Sequence, residues 1–147
     1  MNYTGYQPYY NAINMIRSIS STKKPLEKMQ LIASLSNEIT DAVNEFWNDV
    51  GFPIENSLLD INADELMAIF IYILIKSNFP EIVYHLNLIK EFTTTITRNS
   101  MMGYYCTTVD AALIYINGLK DRSDLSEAKD KYSNNSKLMS NSSGIDE

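Results

Sequence analysis

The chain has 147 residues, 45% of them hydrophobic, with 12 basic and 18 acidic side chains and a formal net charge of −6 at neutral pH. That length suits one domain with one hydrophobic core, and the negative charge argues against affinity built on neutralising nucleic-acid phosphates or an anionic membrane. A single cysteine, Cys106, excludes an intramolecular disulfide and a cysteine-based zinc site, and it fits a cytosolic, reducing location.

Apolar residues recur at helical spacing in successive segments, and no segment sustains the period-two alternation of a strand. An all-α fold is expected: a layered single-domain bundle of about five or six helices over residues 1–120, with a polar, disordered tail over 121–147. Met1 to Thr4 lacks the basic flank and apolar stretch of a secretory signal, and neither end carries a lipidation motif. The first segment, about Tyr9 to Ser20, offers Ile13, Ile16 and Ile19 as a short apolar stripe. The second opens at Pro25 and runs to about Val50, with Leu26, Met29, Ile32, Leu35, Ile39, Val43, Phe46 and Val50 predicted to form one core-facing stripe. Gly51, Phe52 and Pro53 stop it.

The third segment starts at Asn62, whose side chain can accept from the Glu65 amide while Glu65 reaches back. Leu66 to Ile75 is apolar on nearly every face, about half the roughly 20 residues needed to cross a bilayer, so a buried central helix is expected. Direct membrane insertion is not. The fourth runs from near Pro80 to Phe92, with Ile82, Leu86, Ile89 and Phe92 on one face. The β-branched stretch Thr93 to Thr97 then weakens helicity, and a loop is expected from Arg98 to Gly103. The fifth covers Tyr104 to Leu119, with Tyr105, Val109, Ala112, Ile116 and Leu119 on one face and Tyr104, Thr108, Ala111 and Tyr115 on another.

Conventional catalytic groups are sparse. The one histidine, His85, has no serine or cysteine nucleophile near it in sequence and reads as a surface or half-buried helix residue. Cys106 has no accompanying base and reads as a buried structural thiol. The isolated glycines form no phosphate-binding loop, so no nucleotide or other cofactor is expected on this chain. Asp60, Asp64 and Glu65 cluster without further ligands, and no metal is expected either. From spacing alone, Asp64 is a helix-start carboxylate favoured by the dipole and Tyr104 is ordinary packing.

Two stretches alter that reading. Ala63-Asp64-Glu65 opens an apolar helix that closes on Lys76-Ser77-Asn78-Phe79-Pro80, and Gly103-Tyr104-Tyr105-Cys106-Thr107-Thr108 follows later in the chain. With Lys24-Pro25-Leu26-Glu27-Lys28-Met29 before them, residues 20–120 resemble the vacuolar-protein-sorting-nine (VPS9) domain family of Rab exchange factors. Ala68 and Phe79 stand where that family often has proline, and Cys106 where it has an aromatic residue.

The resemblance implies a guanine-nucleotide exchange factor that promotes GDP release from a small GTPase of the Rab-five subfamily, without covalent chemistry, in endosomal trafficking. It implies a cytoplasmic protein recruited peripherally to early endosomes. Asp64 is then the acidic finger directed at the GTPase phosphate site and Tyr104 the residue that holds the switch region open. Ala68, Ile71, Thr107, Thr108, Ala111 and Tyr115 are the expected walls of the partner groove. The alternative is an inactive helical adaptor that binds a Rab or another helix through the same groove, activity having been lost with the departures at Ala68 and Phe79.

Overall fold

The computed structural model describes residues 7–51 and 61–119. The tail expected over 121–147 lies outside them, as do Asp60, Phe52 and Pro53. The chain divides into two compact units, Met1–Leu113 and Ile114–Glu147. Among the described residues all regular structure is helical, without a strand.

In the first unit α1 spans Tyr10–Ser18 and passes into a 3-10 turn, Ile19–Ser21; α2 is Pro25–Val50, α3 Ala63–Ser77, α4 Ile82–Phe92 and α5 Thr95–Arg98. A last helix, α6, covers residues 101–119, of which 101–113 belong to the first unit and 114–119 to the second. Pro25 begins α2 where its missing N–H removes no intrahelical bond. Gly51 ends it with φ of 74°, a left-handed conformation that glycine adopts without a side-chain clash. At the start of α3 the Glu65 amide donates to Asn62 Oδ1 at 2.9 Å and the Asn62 amide donates to Glu65 Oε2 at 3.0 Å, closing the expected capping box.

Helix contacts among the described residues link α3 to α1, α1 to α2, and α2 to α4. The core is drawn from one stripe of each: Ile13 and Ile16; Met29, Ile32, Leu35 and Ile39; Phe70 and Ile73; Ile82, Leu86 and Ile89. Each such buried aliphatic or aromatic side chain contributes about 1.5–3 kcal/mol relative to exposure. On α6 the buried residues are Gly103, Cys106, Val109 and Ala112.

Two cations join helix ends across this core. Arg17 Nε on α1 donates to the Ser77 carbonyl at 2.9 Å, satisfying an end of α3. Lys28, buried in the second turn of α2, donates from Nζ to the Ile19 carbonyl at 2.8 Å and to the Thr22 carbonyl, closing the 3-10 turn that ends α1. Burial holds the Lys28 ammonium below its usual pKa.

Several expectations are corrected. The stripe on α2 is buried only from Met29 to Ile39; Leu26, Phe46 and Val50 are 46%, 47% and 46% exposed and Val43 is half-buried. At 26 residues, about 39 Å at 1.5 Å per residue, α2 is more than twice as long as α1 with 9 residues or α4 with 11, and its buried stripe ends at Ile39. Instead of being enclosed on nearly every face, α3 buries Leu66, Phe70, Ile73, Leu74 and Ser77 and leaves Ala68 and Ile75 exposed. The threonine stretch is not simply a break: Thr94 Oγ1 accepts from the Thr97 amide at 3.3 Å and caps the short α5. The expected loop from Arg98 to Gly103 is correspondingly short, because α6 already begins at residue 101. Phe92, expected in the core, is 71% exposed, and on α6 Leu119 is exposed while Tyr105 and Ile116 are half-buried.

His85 is also corrected, being 8% exposed rather than at the surface or half-buried. Its ring stacks on Phe79 at 6.0 Å, and Nε2 lies 3.4 Å from Ser20 Oγ while Nδ1 has no hydrogen-bond partner among the described residues. Desolvation, and then the charge of Lys28, lower its pKa, with Glu81 opposing. The folded chain therefore resists a proton that the unfolded chain accepts at about pH 6.5. Stability is expected to fall as pH drops through 6.5 toward 5, by at most about 1.4 kcal/mol per pH unit from this group. Urea unfolding at successive pH values would show this slope in the native sequence and lose it in His85→Gln.

Candidate functional site

The expected site residues on α3 share one face. Asp64, Ala68 and Ile71 follow at steps of four and three, so they stack along the helix. Asp64 and Ala68 are exposed and Ile71 is half-buried. The two neighbouring carboxylates have different tasks. Glu65 is committed to the capping box, whereas Asp64, one residue earlier in the same turn, makes no hydrogen bond or ion pair with a described residue. Its charge is stabilised by the amide end of α3 but remains available to a cation from outside.

On α6, Tyr104, Thr108 and Ala111 follow the same steps of four and three. Tyr104 is 42% exposed, its ring 5.3 Å from that of Tyr105 in an edge-on arrangement. Thr108 and Ala111 are half-buried. Thr108 Oγ1 donates to the Tyr104 carbonyl at 3.0 Å and Thr107 Oγ1 donates to the Gly103 carbonyl at 2.9 Å. Both hydroxyl protons are thus used within the helix.

Thr107 faces elsewhere. With Lys90, Arg98 and Asp110 it lines a cleft of about 90 Å³ over Cys106, where Lys90 Nζ and Asp110 Oδ1 pair at 2.8 Å and tie α4 to α6. Tyr115 belongs to the second unit, where it is 48% exposed. Cys106 is buried, as expected, and desolvation raises its thiol pKa to about 12, which leaves it protonated and unreactive at neutral pH.

Gly103 has a role that sequence spacing did not reveal. A Cβ built there would stand 1.8 Å from the Arg98 carbonyl oxygen and 2.4 Å from its carbon. Only a residue without a side chain lets the α5 backbone pass so close, and this approach sets the first turn of α6 from which Tyr104 projects. The only sequence signal was its place immediately before Tyr104-Tyr105.

Among the described residues no group of three or more His, Cys, Asp or Glu side chains could hold a metal ion, and no helix is long and apolar enough to cross a membrane. The α3 face offers one uncommitted carboxylate beside Ala68 and Ile71, and the α6 face offers one phenol beside Thr108 and Ala111. Among known families, the model of the Vacuolar sorting protein 9 (VPS9) domain matches residues 9–121. No solved structure matches the chain.

Proposed function

From the premise that the chain belongs to the VPS9 domain family, whose members are guanine-nucleotide exchange factors for Rab GTPases, we propose that it releases GDP from a Rab of the Rab-five subfamily, as a cytoplasmic protein recruited to early endosomes. A GTPase holds its nucleotide through a P-loop lysine, backbone amides and a magnesium ion on the phosphates. A carboxylate offered to that lysine competes with the phosphate. Asp64 is assigned this task, and Tyr104 is assigned to hold the switch segment away from the metal. Ala68, Ile71, Thr108 and Ala111 are assigned to contact the switch.

Because nucleotide and exchange factor weaken each other's binding reciprocally, the step is accelerated dissociation and no covalent bond changes. The observation that supports this reading most directly is the exposed Asp64 carboxylate, without a partner among the described residues, on a capped helix.

Release of fluorescent GDP from a panel of purified Rab GTPases tests it. A charge-assisted contact contributes about 1.5–3 kcal/mol, so Asp64→Ala is expected to slow exchange by roughly 10- to 100-fold with helicity unchanged. Tyr104→Ala is expected to act in the same direction. A folded domain that binds a Rab yet accelerates release from none would establish the adaptor reading instead.

A further inference from the structure

The far half of α2 carries a second surface that the exchange reaction does not use. From Met29 to Gly51 the sequence contains no Lys, Arg or His, but it contains Glu38, Asp41, Glu45 and Asp49. The last three recur every four residues and are exposed, and none of the four is ion-paired to a described residue. Asp49 lies near the C-terminal end of α2, where the free carbonyls already carry partial negative charge, and no basic residue stands in the last turn. Within the chain this charge is unfavourable. Along one edge of the acidic stripe runs an open apolar groove of about 270 Å³ lined by Pro8, Tyr9, Ala42, Val43, Phe46 and Trp47, with Val50 exposed one turn beyond Phe46.

We propose that this face docks a basic amphipathic helix of another protein, its apolar residues in the groove and its Lys or Arg side chains along the Asp41, Glu45 and Asp49 edge. The surface from Ile39 to Val50 is about 18 Å long, which suits a helix of three turns. Charge complementarity selects this occupant over the others. Residues 1–6 hold no charged side chain, residues 52–60 hold two acidic and no basic ones, and residues 120–147 hold five basic against six acidic, so none of these three segments carries a net positive charge as a whole. A second copy would set these carboxylates against their own counterparts in a protein of net charge −6.

The test uses the full chain and a labelled synthetic helical peptide of about 14 residues, with Leu at i, i+3 and i+7 and Lys along one edge, read by fluorescence anisotropy. One control peptide replaces Lys by Glu, the other replaces Leu by Ser. The Lys/Leu peptide is expected to bind at least about tenfold tighter than either control, and to weaken by about tenfold with Asp41→Lys/Glu45→Lys and with Phe46→Ser. Circular dichroism confirms that both variants stay helical. Equal binding of all three peptides, no binding of any, or unchanged binding by both variants overturns the proposal. Asp64→Ala is expected to bind the peptide like the native sequence, so failure of this inference and failure of the exchange reading are separable.

Discussion

Replacing Gly103 by alanine is expected to impair the protein more than any other single methyl addition. The new Cβ would stand 1.8 Å from the Arg98 carbonyl oxygen, and the obstructing atoms are backbone rather than a side chain that can rotate away. Either α5 shifts or the first turn of α6 does, at a cost of about 3 kcal/mol, the upper end of the usual range for overpacking. In a chain of this size that lowers Tm by roughly 6–12 °C. Because Tyr104 is the next residue, the displacement moves its ring as well. Exchange measured well below the new Tm is expected to fall by about 10-fold or more if Tyr104 holds the switch segment as proposed. Thermal unfolding followed by circular dichroism, beside GDP release at low temperature, separates the two effects.

Lys28→Met is expected to be the second most damaging change, lowering stability by about 2–4 kcal/mol. Methionine fills much the same volume but leaves the Ile19 and Thr22 carbonyls without their donor. Removing the unfavourable burial of a charge offsets part of that loss. The substitution has a second signature. Since the positive charge of Lys28 helps to lower the pKa of His85, its removal moves that pKa back toward the ordinary value, and the loss of stability on acidification becomes smaller. Urea titrations of the native sequence and the variant at pH 7 and pH 5 read both quantities.

These two residues also mark where reading the sequence stopped. The bounds of α2 were legible in full, because Pro25 is prepared for a first turn and Gly51 for a left-handed end. So was the capping box of α3, since both partners lie within three residues of each other. The partners of Lys28 are main-chain carbonyls, which residue type does not encode, and Ser20 reaches His85 across 65 positions. Periodicity likewise showed which face of α2 is apolar, but it could not show how far along that face burial extends, and Phe46 stays 47% exposed. At the candidate site spacing alone left Asp64 as a helix-start carboxylate and Tyr104 as ordinary packing, and only the family resemblance gave them roles, while the requirement for glycine at 103 arises from a neighbouring backbone that no local pattern reveals.

The two ends of α3 are both closed, one by Asn62 and Glu65, the other by Arg17 on the Ser77 carbonyl. A helix fastened in this way does not fray, so whatever approaches its exposed face meets a surface that has already lost its disorder. Encounter then requires no preceding folding step. The association rate should follow protein concentration linearly without reaching a plateau, and it should respond to ionic strength through Asp64 rather than to viscosity-dependent ordering of the helix.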